Sequence, residues 1–336
     1  MPVYSIRLFR RSDIPAVAAL YDRVMALRNP RYGRTLNTER LVRQYFSHPE
    51  FREEGLSVAE VAGGVIGFVF GALRLQPVKP DDALPGVFVC MLLVDESYRR
   101  QGIATALLER VADFGRRHGK TLISAHANPM NPLAFWPGVN RLWDDAVGFL
   151  RAREFRADHC DVSMDQRIDA FELSDYAARR RRQLEADGLR IIRYESRFRE
   201  ALLAAAGTPF WHLDLASKID RQEHPFIETA FLELDREHIY GPQDVTLAVH
   251  GNELAGFVVL CRNPGETTAY LGPIRIVDRS QKTGLGSVMI QTALAWERER
   301  GIRLVDLWCS QENADEFYFR NGFVKRDVWD LYERAL

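Results

Sequence analysis

Two segments of the chain have the composition of an anion cradle. Arg99-Arg100-Gln101-Gly102-Ile103-Ala104 and Gln281-Lys282-Thr283-Gly284-Leu285-Gly286 each follow an apolar, strand-like run and open a helical pattern. A glycine turn between a strand end and a helix start aims successive backbone N–H groups outward, with the positive end of the helix dipole behind them. That geometry binds a pyrophosphate. Gly102 and Gly284 let the backbone approach a ligand closely, and Ala104 and Gly286 keep the next position small. Arg99, Arg100 and Lys282 add charge at the rim. Neither segment completes G-x-x-x-x-G-K-S/T or G-x-G-x-x-G, so two familiar phosphate loops are excluded. For a single copy, an ordinary strand–helix connection is the simpler reading.

There are two copies, and their surroundings repeat as well. Gly102 and Gly284 are 182 positions apart, as are Gly119 and Gly301. Ile103, Leu107, Leu108, Val111 and Phe114 recur at helical spacing after the first loop, and Leu285, Met289, Thr292, Ala293 and Trp296 after the second. The glycines at 119 and 301 read as left-handed helix caps. Short strands follow at 121–124 and 304–308. Upstream, 57–73 and 245–261 each read as a hairpin, turning at Gly63-Gly64 and at Gly251-Asn252. Each half opens with a strand and a helix, at 4–8 then Ser12 onward, and at 190–194 then Phe198 onward. Ser12 or Asp13 is the expected cap of the first helix, with Pro15 in its first turn.

These elements need about the length available. A chain of 336 residues exceeds one ordinary domain, and two of similar size are expected. The division reads as 1–165 for the first, 166–188 for a connector helix, and 189–336 for the second. The run Arg179 to Arg182 falls in the connector and reads as a solvated face. A net charge of -1 gives no global attraction to nucleic acid or anionic lipid. Cys90, Cys160, Cys261 and Cys309 form no C-x-x-C pair, so neither a disulfide framework nor a metal site is expected. The opening Met-Pro-Val-Tyr-Ser-Ile-Arg lacks the pattern of a signal peptide, and no run is long enough for a membrane span. A cytoplasmic protein with reduced thiols, monomeric or homodimeric, is the expectation.

The pattern Q/R-x-x-G-x-G/A after an apolar strand resembles the acyl-CoA pyrophosphate signature of the GNAT acetyltransferase superfamily. The resemblance covers nearly the whole chain, twice. It implies an α/β (α+β) fold of two tandem GNAT domains, each a mixed, mostly antiparallel central sheet flanked by helices. Their architecture is similar to that of tandem members such as mycothiol synthase-like enzymes. It also implies acetyl-CoA, or another acyl-CoA, as acyl donor and a small-molecule or peptide amine as acceptor. By this resemblance Leu92, Leu93, Val94, Arg99, Arg100, Gln101, Gly102, Ile103, Ala104, Thr105 and Asn128 would hold the donor in the first half. Ile274, Arg275, Ile276, Gln281, Lys282, Thr283, Gly284, Leu285, Gly286, Ser287 and Asn313 would do so in the second.

The family's second signature, roughly Leu-Tyr-x-x-x-Gly-Phe, is matched by Phe317-Tyr318-Phe319-Arg320-Asn321-Gly322-Phe323. The resemblance makes Tyr318 the general acid for the departing thiolate, a role that suits a phenol in a partly desolvated site. The first half departs here, with Leu150 at the tyrosine position and Glu154 at the glycine. Leucine has no proton to give. The second half is therefore expected to be the better equipped, and the first either binds the donor without efficient transfer or uses another group. A base must take the acceptor's proton, and Glu60, Asp95, Glu266 and Asp278 are candidates by rough location. His126 is the histidine nearest the expected site, although a satisfied histidine is the simpler reading. An acyl-CoA sensor without turnover stands as the alternative function.

Overall fold

The computed structural model describes residues 3–28, 51–73, 86–126, 137–205, 244–262 and 267–336. It forms two compact units, Met1–Asp161 with Val328–Leu336, and Val162–Asp327. Compactness thus divides the chain inside two long strands, β7 (Arg156–Arg167) and β13 (Val324–Ala335), and places the chain's final residues in the first unit.

In the first unit the strand order is β1 (Ser5–Leu8), β2 (Leu56–Val61), β3 (Gly64–Leu73), β4 (Gly86–Val94), β5 (Leu122–Ala125) and the end of β13. Neighbours are antiparallel except β4 and β5, which run parallel. The sheet is clothed on both faces because its side chains alternate. Phe68 and Phe70 of β3 join Val17, Leu20 and Tyr21 of helix α1 (Ile14–Ala26). Val69, between them, joins Leu107, Val111 and Phe114 of helix α2 (Ile103–Arg117). A two-residue strand β6 (Val139–Asn140) and helix α3 (Asp144–Arg151) complete the unit.

The first hairpin turns one residue earlier than expected. Ala62 and Gly63 both adopt positive φ, of 50° and 81°. That is the conformation a two-residue hairpin with native twist demands. Asp13 also differs from its expected role. Its carboxylate accepts from the Arg10 N–H at 2.8 Å and from Arg7 Nη1 at 2.7 Å, and it does not cap α1. The Arg7 guanidinium holds the Asp13 carboxyl below the usual range.

The second unit repeats the plan. Its order is β8 (Leu189–Arg193), β9 (Val245–His250), β10 (Glu253–Arg262), β11 (Thr268–Ile276), β12 (Leu304–Ser310) and β7. Here β11 and β12 are the parallel pair. Helix α4 (Asp175–Ala186) is capped by the Ser174 hydroxyl, which accepts from the Ala177 N–H, and helix α5 (Arg199–Ala205) follows β8. Helix α6 (Leu285–Glu299) follows the second loop. The connector helix expected to be solvated packs on α6, and Arg180 donates through Nε to the Thr283 carbonyl at 2.6 Å. No helix among the described residues is long and apolar enough to cross a membrane.

Candidate functional site

In the first unit β4 and β5 are paired only from Gly86↔Leu122 to Phe88↔Ser124. Just beyond, the β3–β4 register shifts between Phe70↔Met91 and Gly71↔Val89, leaving Cys90 as a bulge residue. A bulge bends the strand and re-aims its side chains. From there β4 continues to Val94 without β5, so the two strands fork. The second unit forks at the same place in the repeat. Its parallel pairing ends at Tyr270↔Asp306, 182 positions after Phe88↔Ser124, and its strand β10–β11 pairing shifts between Val258↔Ile274 and Leu260↔Leu271.

The two loops are built alike, residue for residue. Gly102 and Gly284 have φ of 83° and 82°, and the non-glycine residues two positions earlier, Arg100 and Lys282, are also left-handed, at 62° and 58°. Arg99 Nε donates to the Val94 carbonyl at 3.3 Å, and Gln281 Nε2 donates to the Ile276 carbonyl at 3.2 Å. The Arg/Gln position therefore ties the loop to the end of its strand. No side chain caps either following helix. The first-turn N–H groups of α2 and α6 have no intrahelical acceptor and remain for a ligand.

In the first unit this helix mouth opens onto a cavity of about 610 Å³. Leu92, Val94, Arg99, Arg100, Gly102, Ile103, Ala104 and Thr105, all expected at the donor site, are in its wall. Leu93 instead faces an adjoining space of about 150 Å³, which shares Val24, Arg28, Leu92, Ala146 and Phe149 with the larger one. Gln101 does not line the cavity, and Asn128 lies outside the described residues. Leu150 is a buried wall residue of the smaller space, so the position of the expected tyrosine supplies packing and no proton.

The sequence reading missed three further wall residues. Arg28 closes α1 and meets Asp145 of α3 through Nη2 at 2.6 Å, and Arg99 reaches the same carboxylate at 3.2 Å. Asp145 is held below the usual carboxylate range by Arg28 and Arg99, against the opposing effect of its partial burial. Arg153 lies over the Phe149 ring at 3.8 Å and donates to the Thr105 hydroxyl in the first turn of α2. Its Nε is buried without a hydrogen-bond partner. These cations converge on an uncapped helix mouth, the electrostatics of a polyphosphate site. No local signal marked them, since Arg28 meets Asp145 across 117 positions and Arg153 meets Thr105 across 48.

The proposed bases divide between tasks already taken and one unknown. Glu60 pairs with Arg7 Nε at 2.8 Å, Asp95 accepts from the Ser97 N–H at 3.2 Å, and Asp278 accepts from Gln281 Nε2 at 2.9 Å. Each holds local structure. Glu266 lies outside the described residues.

In the second unit Ile274, Arg275 and Ile276 end β11, and Gln281 through Ser287 form the loop and first turn of α6. The place a side chain would take at Gly284 is filled by the Tyr176 hydroxyl of α4, and Gly286 faces Phe317. Asn313 is exposed, and its N–H donates to the Ser310 hydroxyl at 3.3 Å. Tyr318 ends a π-helical turn, Ala314–Tyr318, rather than sitting in a regular α-helix. It is 8% exposed, between the rings of Phe317 at 5.1 Å and Phe323 at 5.8 Å. Burial, with the nearby Cys309 thiol, pushes its phenol above the ordinary tyrosine value, so it is neutral at physiological pH. Among the described residues no three His, Cys, Asp or Glu side chains are grouped to hold a metal ion.

The model of the acetyltransferase (GNAT) family matches residues 21–135 and, again, residues 209–323. The chain belongs to the GNAT acetyltransferase family. Its two matched stretches contain both loops described above. A stretch of 86 residues is 40% identical to L-2,4-diaminobutyric acid acetyltransferase of Nocardia farcinica, covering 25% of this GNAT chain and 42% of that protein. Among solved structures, the glucosamine N-acetyltransferase region of a fungal multi-domain β-N-acetylglucosaminidase matches 99% of the chain and 38% of that one, with a TM-score of 0.75 at 16% identity. A tandem GNAT protein from the clavulanic acid biosynthesis pathway matches with a TM-score of 0.61 at 19% identity, over 99% of this chain and 98% of that one. The chain thus spans less than half of the first two relatives and nearly all of the third. At these identities the structural likeness is one of fold, and it includes a tandem member.

Proposed function

We propose that the protein is an acetyl-CoA-dependent N-acetyltransferase acting on a primary amine of a small molecule or peptide, by direct transfer within a ternary complex. The observation that carries this reading is the cavity of about 610 Å³ at the uncapped mouth of α2, walled by Arg28, Arg99, Arg100 and Arg153. The cradle fits a CoA pyrophosphate. It has left-handed backbone at Arg100 and Gly102, unpartnered first-turn amides, and a guanidinium already fastened to Thr105. Leu92 to Val94 on the open edge of the fork would run beside the pantetheine arm. Acetyl-CoA supplies an activated acyl carbonyl, and the protein's share is to hold it, orient the amine and handle one proton.

In the second unit, Gln281 to Ser287 would form the corresponding cradle, and Tyr318 would donate a proton to the departing sulfur. The acceptor named for the Nocardia relative, a diamino acid, makes short polar diamines the first class to try. One observation favours a second reading for the first unit, namely acyl-CoA sensing: the buried leucine at position 150.

The test is calorimetric titration of the full chain with acetyl-CoA, followed by thiol release with a panel of amines that includes L-2,4-diaminobutyrate. The transferase reading expects binding and amine-dependent CoA release, with Tyr318→Phe lowering second-unit turnover far more than affinity. Binding without release from any amine would support the sensor instead. No binding at all would remove both.

A further inference from the structure

Where the strands of the first unit fork, His126 follows the last residue of β5, with its ring edge-on to Phe88 at 5.8 Å. It lines the smaller space beyond the donor cavity, beside Leu92 and Cys90. Its side chain is 8% exposed. Nε2 lies 2.8 Å from Oε1 of Glu333 on β13, whose neighbour in register is Ser124, and the Ser124 hydroxyl donates to the same oxygen at 3.2 Å. Nδ1 is buried and has no hydrogen-bond partner. Glu333 is therefore contributed by the chain's final strand, 207 positions from the histidine it touches.

The second unit repeats the edge-on ring pair with both residues changed. Tyr270 and Trp308, each 182 positions on, pack edge-on at 6.3 Å, as Phe88 and His126 do. The imidazole is present in the first unit and replaced by an indole in the second, while the tyrosine of the family signature is present in the second and replaced by Leu150 in the first.

We propose that His126 is the general base of the first unit, accepting the acceptor ammonium's proton at Nδ1, and that Glu333 is the positioning residue that fixes its tautomer. The inference rests on the transferase reading above. His126 and Ser124 hold the Glu333 carboxyl below the usual range, so it is an ionised, acceptor-only group at neutral pH. The ring nitrogen facing it must carry the hydrogen, and in the neutral ring this leaves the lone pair on Nδ1. Asp161, next along β7, is a second acid near the ring, its carboxyl pushed up to about 6 by burial and partly offset by His126. The other titratable groups around this space are Tyr21 of α1, Arg28, Cys90 of β4 and the exposed His159 of β7, which lies near Glu333.

The assignment explains how a unit without the tyrosine can still transfer. An alkylammonium has a pKa near 10 and has no lone pair until a base removes a proton. A thiol has a pKa near 8.5, so the sulfur can depart as thiolate unaided. The proton passes to Nδ1, the freed nitrogen pair forms the C–N bond, the C–S bond breaks and its pair leaves on sulfur. The proton on the imidazolium then returns to thiolate or water. The base is the indispensable member of the acid–base pair, and in the first unit His126 would supply it.

The test uses the full chain as wild type, His126→Asn and Glu333→Gln, with Gly284→Trp in every background so that the second donor site is lost and first-unit turnover is read alone. Acceptor kcat/KM is followed from pH 5.5 to 9.5 with the amine panel, acetyl-CoA binding by calorimetry, and imidazole tautomers by 15N NMR of the free protein. His126→Asn is expected to lower kcat/KM on the order of 10²-fold and remove the acid limb, with acetyl-CoA affinity unchanged. Glu333→Gln should cost less, because the base remains and only the group that fixes its tautomer is gone. It should also erode the Nε2–H tautomer expected for the wild type. An Nδ1–H tautomer in the wild type, or His126→Asn within threefold of its parent, would overturn the dyad while leaving the transferase reading intact. A parent that releases no CoA with any amine would instead place the failure in the transferase reading, and the dyad would fall with it.

Discussion

Arg153 shows how the donor site is prepared before a ligand arrives. Its guanidinium is laid flat on Phe149, donates to the Phe149 carbonyl at 3.0 Å and to the Thr105 hydroxyl, and keeps one buried N–H unpaired. A pre-ordered fork loses little further entropy when it meets a phosphate, and it sits where the α2 dipole is positive. Arg153→Ala is expected to weaken acetyl-CoA binding about tenfold, or about 1.4 kcal/mol, within the range of hydrogen bonds to charged groups. Arg153→Lys should recover part of the charge but not the fork. Calorimetry at two salt concentrations decides, because loss of a phosphate contact must also flatten the salt dependence. An unchanged dissociation constant would assign Arg153 to packing alone. The Arg99 and Gln281 side chains make the opposite point. Both belong to the signature and both are occupied by a strand carbonyl, so their contribution is to the shape of the loop.

At the level of elements, the loops and the helices that follow them were legible because glycine marks each end and apolar residues mark one face. Helices 103–117 and 285–299 begin directly after Gly102 and Gly284 and run close to Gly119 and Gly301. The rest of the site was not legible for a physical reason. Arg28 meets Asp145 across 117 positions and His126 meets Glu333 across 207, and such pairs leave no periodicity in the sequence. The turn around Tyr318 reads as an ordinary helix from its composition and is a π-helical turn in the structure. Helix α6 carries a prediction of its own. Glu297 near its end is fully buried, and burial raises its carboxyl. Arg300 Nη1 approaches it at 2.6 Å and Asp244 at 2.5 Å, with Arg193 at 3.3 Å. Removing one partner from a buried cluster leaves a charge poorly compensated. Arg300→Ala should therefore destabilise the second unit by about 3 kcal/mol. Adding Glu297→Gln should restore part of the loss. Chemical denaturation followed by a second-unit tryptophan, with Trp308 as reporter, checks both. A neutral effect of Arg300→Ala would mean that water already serves these carboxylates.

At the level of the whole chain, duplication has produced two cradles with the same backbone and different surroundings. The first opens on a cavity with four arginines in its wall. In the second, the Tyr176 hydroxyl occupies the space directly over Gly284, and Arg180 is spent on the Thr283 carbonyl. If the pyrophosphate takes that space it displaces the tyrosine, and the free energy of that displacement is subtracted from binding. Calorimetry of the full chain is accordingly expected to find two acetyl-CoA sites of unequal affinity, the tighter lost in Gly102→Trp and the weaker lost in Gly284→Trp. Tyr176→Ala should tighten the weaker site and leave the tighter one unchanged, since the tyrosine belongs to the second unit. A stoichiometry of one that Tyr176→Ala does not raise would mean that the second cradle has kept its backbone shape without its ligand. The chemistry attributed to Tyr318 would then have to be abandoned, because a proton donor has no task where no thioester is held.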